Sequence, residues 1–340
     1  METKTDREAF SCWVATDGRA GNENPPLGLA EAIGERMQLK IAVKRLKVKL
    51  LLAALPAALW GDPFGALSSE GALLRAPYPD LFVGCGRLSA PFARAIKKRH
   101  PRTFVIQLLR PPGPIAFFDL VIPPRHDNLA GSNVFSTLGS PHRATRERLE
   151  ADARKLAPAL GGLPHPRVAV LLGGSNRAFQ FGERRAAIIA ADLRRLADGG
   201  AGLMITASRR TGEKERALVA AALDGAPHFF WSGAPVAGLD NPYFGMLGLA
   251  EHILVTEDSV NMAAEAAATG KPVHILALDR APFARGAAKF ARFHEALRAH
   301  GAARPFAGAL DRWTYLPLED TARAADEVER RFKEHLRRIA

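Results

Sequence analysis

Residues 168–177 read VAVLLGGSNR: an unbroken apolar run, then two glycines, a hydroxyl, an amide and an arginine. A run this short with no polar alternation predicts a strand buried on both faces. Glu183–Ala197 then carries helical periodicity. The same unit recurs downstream. Leu203–Thr206 is a strand before the helix Glu213–Leu223, and His228–Trp231 precedes the short helix Tyr243–Ala250. Ile253–Thr256 precedes Val260–Thr269, and Val273–Leu276 precedes Ala287–Ala299. Apolar strands alternating with helices predict a parallel sheet covered on both faces, a doubly wound α/β domain.

Reading towards the N-terminus, the plan repeats more faintly. Strands are expected at Ser11–Thr16, Lys40–Val48, Asp80–Val83, Thr103–Leu108 and Leu120–Ile122. A helix is expected to begin at Pro25-Pro26, and another covers Ala90–Arg99. The Asp17–Asn22 stretch between the first strand and helix reads as a loop. At 340 residues the chain has room for two such domains. The segment LGGLPHP within Pro158–Pro166 breaks any helix, so the boundaries predicted are 1–157, 158–318 and a terminal amphipathic helix over 319–340. Val328, Phe332, Leu336 and Ile339 share one face of that helix.

The net charge of +12, from 47 basic and 35 acidic residues, favours anionic partners. No block of five like charges occurs, which argues against a nucleic-acid tail. Cys12 and Cys85 lack metal-ligand spacing and read as buried thiols in a reducing compartment. METKTDREAF carries no apolar signal region, so a cytoplasmic protein is expected. The longest apolar run, Leu50–Trp60, is too short to span a bilayer. It reads as a core helix. The preceding Lys44, Arg45, Lys47 and Lys49 supply the alternative, contact with an anionic membrane surface from the inner side.

In a doubly wound sheet, ligands bind beyond the carboxyl ends of the strands, where helix N-termini present free N–H groups. Three loops of the second half fit a phosphate. Gly173, Gly174 and Ser175 let backbone approach an anion. Ser208, Arg209, Arg210 and Thr211 crowd hydroxyls and guanidinium groups at a strand end. Thr256, Asp258 and Ser259 precede a helix whose Glu265 is suited to ribose hydroxyls; Ser259 is equally a plain N-cap. Asn241 and Tyr243 lie in an Asn-Pro turn that serves structure or base recognition alike. In the first half, Asp17, Gly18, Arg19, Gly21 and Asn22 follow the first strand, Gly86 and Arg87 a later one, and Gln107 ends another. Asp17 and His126 are candidate bases, although a lone histidine is more often structural. No GxGxxG, Walker A, HExxH or GxSxG pattern is present, and no Cys/His cluster. A nucleotide sugar as substrate, with no separate cofactor or metal, is the expectation.

The stretches DGRAGNENPPLGLAEAIG, GCGRLSAP, PPRHD, LLGGSNRAF, TASRRT, NPYFGMLGLAEHILVTEDSVNMAAEAAATGKPV and RFHEAL…RPFAG occur in this order between Cys12 and Leu318. Together they resemble the mitochondrial fission (elongated-mitochondria) family. Bacterial members are often labelled nucleoside-diphosphate-sugar epimerases, and a plant member recruits the dynamin-like fission machinery. The loops also resemble GT-B glycosyltransferases such as the lipid-linked GlcNAc transferase of peptidoglycan synthesis. That resemblance implies a GT-B-like fold, two Rossmann-like domains facing across a cleft, with the terminal helix crossing back. It implies that Gly173, Gly174 and Ser175 meet the diphosphate and Glu265 the ribose. The match departs at Pro26, where the family more usually has Gln. The function implied is a metal-independent glycosyltransferase; an epimerase and a non-catalytic scaffold are the alternatives.

Overall fold

The computed structural model describes residues 9–53, 55, 60–69, 74–284 and 286–340. The chain divides into two compact units. Unit 1 runs to Arg143 and takes in Glu319–Ala340; unit 2 is Ala144–Leu318.

Unit 1 contains β1 (Phe10–Thr16), α1 (Ala20–Gly34), β2 (Leu39–Arg45), α2 (Leu50–Ala53), β3 (Leu81–Cys85), α3 (Gly86–Arg99), β4 (Phe104–Leu108) and β5 (Leu120–Ile122). Its sheet is parallel, in the order β2-β1-β3-β4-β5. One face is buried under α1 and the C-terminal helix, the other under α3. Unit 2 contains α4 (Arg146–Leu156), β6 (Arg167–Leu172), β7 (Phe179–Gln180), α5 (Glu183–Asp198), β8 (Gly202–Ala207), α6 (Glu213–Ala222), β9 (His228–Phe230) and α7 (Tyr243–Leu249). It continues with β10 (His252–Thr256), α8 (Val260–Ala267), β11 (Val273–Leu276), β12 (Asp279–Arg280), α9 (Ala287–Ala299) and β13 (Ala303–Pro305). Its six-stranded parallel sheet has the order β13-β11-β10-β6-β8-β9. Numbered within the unit this is 6-5-4-1-2-3, the doubly wound order of dinucleotide-binding folds.

The terminal helix α10 (Asp320–Ile339) belongs to unit 1. Its predicted apolar face is used: Val328 and Phe332 are buried, with Leu336 partly so. Phe332 meets Phe10 and Phe104 edge-on, at centroid separations of 5.1 and 5.7 Å. Geometry of this kind adds to the area term of aromatic burial.

Three expectations change. The division falls at Arg143/Ala144 rather than at 157/158. The reason lies in α7, where Gly245 and Gly248 let the helix lie against α4. A Cβ on Gly248 would stand 2.3 Å from the Leu149 carbonyl oxygen, so α4 is locked into unit 2. LGGLPHP is therefore a turn within that unit. Helix α1 begins at Ala20, ahead of Pro25 and Pro26, so part of the expected Asp17–Asn22 loop is its first turn. The Leu50–Trp60 run is no core helix over its described part; residues 54 and 56–59 lie outside it. Leu50 and Leu51 are 89% and 88% exposed. Both cysteines are buried as expected, and burial pushes the Cys12 thiol up to about 12. Among the described residues no helix is long and apolar enough to cross a membrane.

Candidate functional site

The strand order fixes where each unit can hold a ligand. In unit 2 the order reverses between β6 and β10, and in folds of this order ligands bind beyond the carboxyl ends of the strands at the reversal. The loop after β6 is Gly173–Arg177, the loop after β10 is Thr256–Ser259, and β8, beside β6, contributes Ser208–Thr211. The three predicted loops do converge.

They bond first to one another. Gly173 donates its N–H to Thr256 Oγ1 at 2.8 Å, and Gly174 donates to Asp258 Oδ2 at 3.0 Å. Thr211 donates its hydroxyl to the Leu172 carbonyl at 3.2 Å and to that of Gly173. Thr256 donates to Asp258 Oδ1 at 2.6 Å, and Arg210 Nη2 pairs with Asp258 Oδ2 at 2.7 Å. This corrects one expectation. The Gly173 and Gly174 amides do not face a diphosphate, because both are spent inside the unit. The glycines are needed for a different reason. A Cβ on Gly173 would sit 2.1 Å from an Asp258 carboxylate oxygen, and one on Gly174 would sit 2.1 Å from the Arg210 carbonyl oxygen. Real Cβ atoms do not approach so closely, so the pair exists to let three loops meet. Ser175 is exposed, and its hydroxyl accepts from Phe181 N at 3.0 Å.

Other donors remain. Arg209 is exposed and has no partner among the described residues, and Arg177 is in the same position. Arg210 is 43% exposed at its side chain and spends two guanidinium N–H groups, on Asp258 and the Gly174 carbonyl, leaving three. Ser259 caps α8 by accepting from Met262 N at 3.4 Å. Asn241 accepts from Tyr243 N at 3.0 Å, a turn-forming contact. Deeper in, Tyr243 donates its hydroxyl to Glu265 Oε2 at 2.6 Å, and Glu265 is only 5% exposed. Burial pushes the Glu265 carboxyl up to about 7, against the lowering effect of the Tyr243 bond, and burial also raises the Tyr243 phenol.

Asn176 received no role from sequence and has one. Its Oδ1 accepts from Ala178 N at 2.7 Å and Phe179 N at 2.9 Å, and its amide reaches the Asp258 carbonyl at 3.4 Å. The signal was an Asx residue two positions after a glycine pair.

Unit 1 has its own reversal, between β1 and β3. Asp17 follows β1 and Gly86 follows β3. Asp17 accepts from Arg19 N at 3.0 Å and from the Asn22 amide at 2.9 Å, which anchors the first turn of α1. A carboxylate there also suits the positive end of the helix. Gly18 and Gly86 have φ of +77° and +73°, a region that excludes most side chains. A Cβ on Gly86 would lie 3.4 Å from Asn22 Oδ1, so the two loops touch. Asp17 keeps a 19% exposed side chain; Arg19, Gly21 and Arg87 are exposed. Gln107 is fully buried and donates its amide to the Gly86 and Leu108 carbonyls, both at 3.0 Å. Its place is in the framework. His126 is 4% exposed, with Nε2 3.9 Å from Asp127 Oδ1.

Comparison with known proteins agrees with this architecture. A solved UDP-GlcNAc 2-epimerase of Methanocaldococcus jannaschii, in complex with UDP-GlcNAc and UDP, superposes with a TM-score of 0.52 over 96% of this chain and 100% of that one, at 11% identity. The shared fold is GT-B, two Rossmann-like α/β domains. A mitochondrial fission protein ELM1 of Arabidopsis thaliana is 29% identical over 280 residues, 74% of this chain; the match spans 64% of the plant protein's length. An uncharacterized protein of Rickettsia prowazekii is 26% identical, covering 94% of this chain and 98% of its own. The family model for mitochondrial fission ELM1 matches residues 20–332, nearly the whole chain, and the protein belongs to that family.

Proposed function

We propose that unit 2 binds a nucleotide-diphosphate sugar and that the protein is a metal-independent glycosyltransferase of the GT-B type. The observation that carries the reading is the meeting of the loops after β6, β8 and β10, which holds Arg210 against Asp258 just ahead of α8, with Arg177 and Arg209 on two of those same loops. Arginine offers planar, always-charged donors. Placed against a leaving diphosphate, the pair Arg209 and Arg210 offsets the charge that develops as the glycosidic bond breaks. Glu265, bonded to Tyr243 and held near neutrality, is assigned to the ribose hydroxyls. In unit 1 the partly exposed Asp17 is assigned to deprotonating the acceptor; His126 is too deeply buried for that role. Exposed Leu50 and Leu51, beside Lys47 and Lys49, support an acceptor carried on an anionic lipid surface.

The test is calorimetric titration with UDP-, GDP- and CMP-sugars. One class should bind, and Arg209→Ala should weaken it. A folded protein that binds none sinks the proposal. The epimerase reading rests on the archaeal enzyme of the same fold; epimerised nucleotide sugar formed without acceptor would replace transfer with it. The scaffold reading rests on the plant relative's name. It is favoured if a protein partner is retained by Arg209→Ala and Glu265→Ala and no turnover is found.

A further inference from the structure

Asp258 carries a negative charge into the very place where a phosphate is expected. Its side chain is fully buried and touches all three loops, accepting from Gly174 N, Thr256 Oγ1 and Arg210 Nη2 at 3.0, 2.6 and 2.7 Å. Thr256, itself buried, also receives the Gly173 amide. The acceptors inside the cradle therefore belong to the protein. A ligand phosphate is left to the outer side, and Arg210, 43% exposed at its side chain, has three N–H groups left to offer it.

We propose that Asp258 is the positioning residue of this site. It fixes one edge of the Arg210 guanidinium so that the other edge is pre-set for a phosphate oxygen. Arginine's planar fork makes this possible, because two edges of one rigid group can serve two acceptors. A free arginine would have to lose its rotamer freedom on binding, whereas Arg210 has already lost it. The consequence is specific. The phosphate is held by the arginine side chain and not by the glycine amides, as it would be in a glycine-rich phosphate loop. The inference rests on the reading of unit 2 as a diphosphate site.

The experiment uses inorganic pyrophosphate and a nucleotide sugar as separate probes on the full chain. A charge-assisted hydrogen bond of this kind is worth roughly tenfold to a hundredfold in affinity. Arg210→Ala is expected to weaken pyrophosphate binding within that range, and Asp258→Asn to weaken it about tenfold. The double variant should bind like Arg210→Ala alone, because Asp258 acts through Arg210. Additive losses would mark Asp258 as merely structural and overturn the proposal. Should Asp258→Asn fail to fold, Arg210→Lys decides, since that side chain is partly exposed. It keeps the charge and loses the fork, so about tenfold weaker binding is expected, and wild-type affinity overturns the proposal. Pyrophosphate bound in this pattern without any nucleotide sugar leaves the positioning role standing and removes the donor reading. Binding of neither probe removes both.

Discussion

Replacing Glu265 by Gln gives a sharp test of the buried acid in unit 2. The carboxyl is 5% exposed, accepts one hydrogen bond, from Tyr243, and is pushed by burial from the ordinary 4.5 to about 7. Between those two values the folded protein holds a proton that the unfolded chain has released. Stability therefore falls as pH rises through the window and levels off above about 7. At about 1.4 kcal/mol per pH unit, the group costs the folded state roughly 3 kcal/mol at the alkaline end. Gln has the same shape, can still accept from Tyr243, and never ionises. Urea unfolding of unit 2 at about pH 5 and about pH 8 is the assay, with wild type and variant compared at each. The comparison matters because His274, in the same unit, is pushed down to about 4, chiefly by burial, and its stabilising effect is lost as pH falls from 6.5. That opposing slope is common to both proteins and cancels. The two should match within about 1 kcal/mol at the lower pH, and the variant should gain roughly 3 kcal/mol on wild type at the higher. An offset that does not change with pH, or one that moves against the variant, refutes the reasoning.

Other consequences are equally concrete. Gly174→Ala places a Cβ against the Arg210 carbonyl and should destabilise unit 2 by about 1–3 kcal/mol, read by thermal unfolding; a neutral effect would show that the loops do not pack as described. Phe332→Ala empties the contact with Phe10 and Phe104 and should weaken unit 1 by about 3–5 kcal/mol in urea, whereas an effect below about 1 kcal/mol would contradict the docking of α10. Leu50→Ser with Leu51→Ser should lower binding to anionic vesicles at least tenfold, since inserting a leucine is worth about 1.5–3 kcal/mol. Unchanged flotation with the vesicles would remove the lipid surface from the account.

Much of the fold was legible because a parallel sheet buries both faces. VAVLL, LMIT and ILVT can hardly be anything but central strands, and their spacing sets the doubly wound plan. The three loops were read as following successive strands, and they do meet, yet the glycine pair was read as facing a ligand when it faces Asp258 and Arg210. Sequence does not distinguish a glycine that admits an anion from one that admits a neighbouring loop. The domain boundary was misplaced for a similar reason. LGGLPHP is an emphatic breaker, while the contacts that tie α4 to α7 depend on Gly245 and Gly248, about ninety residues further on. The exposed leucines at 50 and 51 were read as core because composition alone carries no face.

The central claim is that a nucleotide diphosphate rests on the arginines of unit 2. Crystals soaked in turn with UDP-, GDP- and CMP-sugars test it most directly. The account predicts one class bound with its diphosphate against Arg209, Arg210 and the N-terminus of α8, and its ribose at Glu265. A nucleotide sugar bound away from these residues would contradict it.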